Sequence, residues 1–105
     1  MVTMTFIEDL IKLKKKGLLD PSLYSKDETW IYLHFQALFN RWIKDFYARN
    51  PNPIMVTATS IRKLMEKENG FSQSRYVKRL NGRSCRCMVF LRSSAPKNIK
   101  KLVGK

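Results

Sequence analysis

VTATSIRKLMEKENGFSQSRYVKRLNGRSCRCMVFL, residues 56–91, is the stretch whose reading decides the fold. Its spacing predicts a helix over 58–68, a tight turn, a second helix over 73–80 and a strand over 83–91. Thr57 suits the N-cap of the first helix, because its hydroxyl can accept from a free first-turn N–H. Ile61, Leu64 and Met65 then fall at i, i+3 and i+4, one narrow apolar face. Asn69-Gly70 stops the helix, since glycine adopts the left-handed conformation without a Cβ clash. Ser72 caps the next helix, which is expected to bury Val77 and Leu80 and to present Gln73, Ser74, Arg75, Lys78 and Arg79. Two short helices of this kind are what a helix-turn-helix needs in order to enter a major groove. A second local reading competes. Asn81-Gly82 is also the strongest two-residue hairpin signal, and 75–80 could be a strand paired with 83–89. The Ser72 cap and the Tyr76/Val77/Leu80 face favour the helix. Under either reading the same arginines surround a compact basic protrusion.

Charge points the same way. The chain of 105 residues has 21 Lys and Arg against 8 Asp and Glu, a net +13. Residues 1–50 hold 8 cations and 6 acids, whereas residues 51–105 hold 13 and 2 (Glu66 and Glu68), a net +11. Self-repulsion of that size is tolerated where a polyanion is the partner, nucleic acid before an anionic membrane surface. A hydrophobic content of 44% separates the chain from disordered basic peptides. No apolar run approaches the ~20 residues of a membrane span, and Glu8 and Asp9 precede the first lysines, the wrong order for a signal peptide. An intracellular location is expected: cytoplasm or nucleoid, or the nucleus of a eukaryote.

Residues 1–16 predict an amphipathic helix with Phe6, Leu10 and Leu13 on one face, Ile7 and Ile11 beside them, and a Thr5/Glu8 capping box. Lysines 12, 14, 15 and 16 crowd its C-terminal turn and Gly17 ends it. Its apolar face is expected to pack on the domain, the alternatives being a docking helix for a partner protein or a membrane-surface helix, the latter disfavoured by its acids and short length. Residues 18–25 are a connection with a turn at Asp20-Pro21. Residues 26–49 predict the longest helix, entered by a Ser25/Glu28 capping box. Its stripe of Ile31, Phe35, Leu38, Phe39, Trp42 and Phe46, widened by Trp30, Leu33, Ile43 and Tyr47, is core by its spacing. His34 beside it has no companion ligands. Asn50-Pro51-Asn52-Pro53 breaks the helix, and 54–56 is a short strand. In 83–91, Cys85, Cys87, Val89 and Leu91 alternate with Ser84, Arg86, Met88 and Phe90. Residues 93–105, with no acid, are expected to be a basic mobile tail. The expected organisation is an N-terminal helix and connection (1–25), a domain (26–92) and that tail.

Catalytic signatures are missing: no Gly-rich phosphate loop, no His/Asp/Ser set and no paired carboxylates in the basic half. Cys85 and Cys87 could supply at most half a zinc site, and small buried residues in a sheet are the simpler reading. No enzyme activity, cofactor or metal is expected.

Helix, strand, helix, helix, strand is the order of a winged helix. The stretch from Leu33 to Leu91 resembles the winged-helix DNA-binding domain of the regulatory factor X type. It also resembles the related module at the C-terminal end of poxvirus-type and phage-type primase-helicases. The residues that carry the likeness are LHFQALFNRW (33–42), VTATSIRKL (56–64) and NGRSCRCMVFL (81–91). The likeness covers a little over half the chain and departs from the transcription-factor version in placing Cys85 and Cys87 where that wing carries aromatics. It implies an α+β, mostly helical, winged helix-turn-helix with an extra N-terminal helix and a small β-sheet wing. The implied function is DNA binding in the replication or regulation of a virus or mobile element. Duplex DNA is the expected partner, with Gln73, Arg75, Lys78 and Arg79 toward the groove, together with Ser72 and Ser74. Arg62, Lys63, Arg83 and Arg86 would hold phosphates. The alternatives are a protein-interaction winged helix docking on a polymerase or helicase, and a binder of single-stranded DNA or RNA.

Overall fold

Phe6, Ile7, Leu10 and Leu13 recur at helical spacing. In the computed structural model, which describes residues 2–49, 56–80 and 82–104, they are the buried side of helix α1 (Val2–Lys15). Gly17, at φ 74°, follows its C-terminus as expected. The helix begins at Val2, so Thr5 lies in its first turn rather than at a cap.

The aromatic stripe expected to form one helix from residue 26 is divided. Tyr24–Lys26 is strand β1, Trp30–Leu33 is strand β2, and Phe35–Arg49 alone is helix α2. Trp-Ile-Tyr-Leu is an apolar run that fits a strand with two covered faces as well as a helix. Pairing settles the matter: Trp30 to Leu33 lie opposite Leu91 to Met88. Ser25, expected to cap a helix, pairs with Tyr32 instead. Asp27 closes the β1–β2 turn, its Oδ1 accepting from the amides of Thr29 (2.9 Å) and Trp30 (2.6 Å).

Helix α3 (Ala58–Met65) has the expected cap, with Thr57 Oγ1 accepting from the Ser60 amide at 3.1 Å. It stops three residues earlier than expected. Gly70, at φ 80°, then carries the chain so close to Leu91, Ser94 and Ala95 that a Cβ would lie 3.0 Å from their backbone atoms. Of the strand expected at 54–56, residues 54 and 55 lie outside the described residues, and Val56 packs on the core.

The expected second helix at 73–80 does not form. Phe71–Leu80 is strand β3, paired antiparallel with β4 (Arg83–Leu91). The Asn81-Gly82 hairpin signal prevails over the Ser72 cap, with Gly82 at φ 81° in the turn. Val77, expected in the core, is 61% exposed. The sheet runs β1-β2-β4-β3, all antiparallel. The fold is thus α+β.

Residues 97–103, expected in a mobile arm, are helix α4 (Lys97–Val103). Ile99, Leu102 and Val103 are buried in the same apolar cluster as α1, α2, α3 and the inner sheet face. Cations beyond a helix C-terminus satisfy its free carbonyls. Lys14 Nζ donates to Leu102 O at 2.7 Å, and Lys26 Nζ donates to Gly104 O.

The centre of the cluster is aromatic. Trp42, 1% exposed, stacks on Phe46 and meets the edge of Phe6 at 5.3 Å. Its indole N–H donates to Asp9 Oδ2 at 3.0 Å, and Arg49 reaches the same oxygen at 3.0 Å. A buried carboxylate is tolerated only when paired and hydrogen-bonded, and this one ties α1 to α2. Trp42 is core, as its spacing predicts.

Ending the chain after Ser94 should abolish cooperative thermal unfolding. Ile99, Leu102 and Val103 each contribute about 1.5–3 kcal/mol of burial, a large part of the ~5–15 kcal/mol available to a small domain. A truncated chain that melts at the full-length temperature would return these residues to a mobile arm.

Candidate nucleic-acid interface

Of β4, only Met88–Leu91 pair with β2, so β3 and β4 continue alone beyond it as a two-stranded ribbon. Five pairs, from Tyr76↔Cys87 to Leu80↔Arg83, make up this part, about 15 Å at ~3.3 Å per residue. Register shifts between Phe71 and Gln73, and again between Gln73 and Tyr76, mark bulged backbone at its root. Bulges bend a strand and increase its twist.

Residues directly opposite in an antiparallel pair share a face. Arg86, opposite Val77, alternates with Met88 and Phe90 and therefore lies on the helix side of the ribbon. Arg79, opposite Ser84, shares that side. The two arginines are diagonal neighbours, roughly 7–8 Å apart, and both are exposed. Tyr76 and Lys78 occupy the other side with Cys87. Lys78 is half-buried, its ammonium 4.2 Å from the centre of the Tyr32 ring. A helix would have placed it on one surface with Arg79; the strand puts the two on opposite sides of the ribbon. Ser72 and Gln73 are exposed at the start of β3. Ser74 and Arg75 fall at the bulge and Arg83 next to the turn; their side chains lie outside the described residues.

α3 leads into β3 through a short turn. It buries Ile61 and Met65 and exposes Thr59, Ser60 and Lys63. Arg62 is half-buried, its guanidinium 5.4 Å from the centre of the Phe35 ring. The structure thus separates the predicted set: Arg62 and Lys63 on a helix, residues 72–75 on the first, bulged part of β3, and Lys78, Arg79, Arg83 and Arg86 on the ribbon. The exposed face of α3 is not among the positions expected to face a groove, because the helix expected at 73–80 takes that role. Its signal was present in the Thr57 cap and the polar Thr59, Ser60 and Lys63 between apolar positions. Among the described residues both ion pairs are made by Arg49, with Asp9 and Asp45. Among the described side chains Lys63, Arg79 and Arg86 make none.

A second basic region lies between α1 and α4. Lys12, Lys15, Lys97 and Lys101 line a groove of about 570 Å³ together with Glu8, Ile11 and Asn98. The apolar face of α1 that could have docked on a partner is occupied by the core.

The outer sheet face carries a small cluster of Tyr32, Cys87 and Val89 with Trp30 packed on it. Tyr32 donates its hydroxyl to Asp27 Oδ2 at 2.9 Å. The amides of Trp30 and Thr29 hold the Asp27 carboxyl below its ordinary pKa. Burial, then the bond to Asp27, pushes the Tyr32 phenol up to about 12. No group of three or more His, Cys, Asp or Glu that could hold a metal occurs among the described residues. None of the described helices is long and apolar enough to cross a membrane. No family model, curated protein or solved structure matches the chain.

In an alkaline absorbance titration, a tyrosine step near pH 12 should belong to Tyr32, and Tyr32→Phe should remove it. A phenol whose folded pKa is raised contributes its stability fully below pH ~10 and loses it as pH climbs through the folded value. A late step that survives in Tyr32→Phe would contradict the assignment.

Proposed function

We propose that the chain is a DNA-binding module of winged-helix type, with α3 as its groove-entering helix and the β3–β4 ribbon as its wing. The carrying observation is the ribbon: it projects beyond the sheet, and one side presents two exposed arginines without ion-pair partners. Cations on an edge ribbon can also serve to block strand pairing. That role does not account for a chain in which no acid follows Glu68. A partner with dense negative charge does.

The order of elements supports the reading in a shifted form. Helix α1, strand β2, helix α2, helix α3 and strand β3 repeat the winged-helix order one element earlier than the sequence suggested, and β4 closes the wing. The added β1 extends the sheet at the far edge. In this arrangement Thr59, Ser60 and Lys63 face base edges, while Arg62, Arg79 and Arg86 hold phosphates, which position without specifying. Replication or regulation in a virus or mobile element is the setting we propose, and it rests on the resemblance alone. The function is binding, with no catalytic step.

Titration of duplex DNA at two salt concentrations tests this. Arg79→Ala with Arg86→Ala should weaken binding and flatten the log–log salt dependence by about two units, one for each phosphate left without its arginine. Lys78→Ala should do less, since that ammonium already sits over Tyr32. The arginines are exposed, so thermal stability should not change. Unaltered affinity and slope in the double variant would overturn the ribbon as the interface.

A further inference from the structure

The outer face of the sheet has no helix over it among the described residues. Every helix contributes its buried side chains to the main cluster, and the second cluster is built from strands alone. On that face Trp30, Tyr32, Ser72, Gln73, Tyr76 and Val89 line a cavity of about 130 Å³. This is well below the ~300–1,000 Å³ of drug-sized sites and suits one flat ring system.

Its walls have three kinds of group. Tyr32 and Tyr76 lie 5.7 Å apart at a tilt of 30°, and Tyr76 is 39% exposed. Trp30 is half-buried beside them. Gln73 and Ser72, both exposed, bring donors and acceptors to the cavity wall. Lys78, over the Tyr32 ring, brings a positive charge to the same face. Exposed aromatic rings, an amide at their edge and an adjoining cation are the means by which proteins take unpaired bases. An apolar peptide would leave the lysine and the amide unmatched.

We propose that this cavity takes one unpaired nucleobase, stacked on Tyr76 and Trp30, with its edge on Gln73 and its backbone phosphate near Lys78. The inference rests on the chain being a nucleic-acid binder, and it adds a second site on the opposite side of the ribbon from Arg79 and Arg86. The module would then hold duplex on one side and an extruded or single-stranded base on the other.

Tryptophan emission of the full-length protein reports directly on this cavity. Of the two tryptophans, Trp42 is in the core, so a bound base should quench Trp30 alone. The probes are a fully paired duplex, the same duplex with one unpaired thymine, an oligothymidylate and an oligouridylate. The three probes with unpaired bases should quench and the paired duplex should not; Trp30→Phe should remove the effect. Tyr76→Ala should weaken the unpaired probes about 5- to 150-fold and spare the paired duplex, while Tyr76→Phe should bind as the parent does. Quenching by oligothymidylate without oligouridylate would restrict the site to DNA, and the reverse to RNA, both supporting it. Unpaired probes that bind without quenching, or that ignore Tyr76→Ala, would overturn the cavity and leave the arginine side standing. Failure of every probe to bind would overturn both.

Discussion

The root of the basic ribbon is held by the last four residues of β4. Met88 to Leu91 are paired with β2, and Val89 and Phe90 among them are also paired with the start of β3 on the other edge. Both faces of this segment are also covered: Met88 and Phe90 lie among the helices, and Val89 lies against Tyr32. Because side chains alternate with a period of two, a slip of one residue would turn Met88 and Phe90 outward and bring Val89 and Leu91 into their place. Register here is therefore fixed by packing. It in turn decides that Arg79 and Arg86 share one side of the ribbon and that Tyr76 and Lys78 share the other.

The two halves of the chain divide the work. The acid-bearing half builds the support: α1 and α2 are joined by the Trp42–Asp9–Arg49 group, and aromatic rings from Phe6 to Phe46 fill the space between them. The acid-poor half supplies α3, the ribbon and α4. Its charges repel one another, which costs stability and is relieved when a polyanion binds. α4 shows that not every cation there is spare. Lys100 and Lys101 decorate a helix whose other side is core, and Lys14 and Lys26 close its end.

Local signals were legible wherever the partner lay nearby. The α1 periodicity, the Thr57 cap, the Gly17 stop, the β4 alternation and the burial of Trp42 could all be read from short windows. The misreadings have two causes, distant partners for Trp30 to Leu33 and for α4, and competing local signals for Tyr76 to Leu80. Trp30 to Leu33 is ambiguous until β4, more than fifty residues later, supplies its neighbour. Tyr76 to Leu80 carries a cap at Ser72 and a turn at Asn81-Gly82, and only the available edge of β4 favours the turn. In KNIKKLV the lysines dominate the composition, and the apolar triplet of Ile99, Leu102 and Val103 is too short to announce a helix without α1 beside it. The candidate cations were visible as a group. Their division between α3 and two sides of a ribbon was not, since a strand separates neighbours that a helix would have placed on one surface. The Trp30–Tyr32–Tyr76 cavity was hidden because its rings come from β2 and β3, which lie on either side of β4 in the sheet.

Amide chemical-shift mapping during titration with duplex DNA tests the central claim most directly, because it compares every surface of the molecule at once. The account places the largest shifts on α3, from Thr59 to Lys63, and on the ribbon around Arg79 and Arg86, with α1 and α4 nearly still. Shifts confined to Lys12, Lys15, Lys97 and Lys101, with a silent ribbon, would contradict it and move the interface to the groove between the terminal helices.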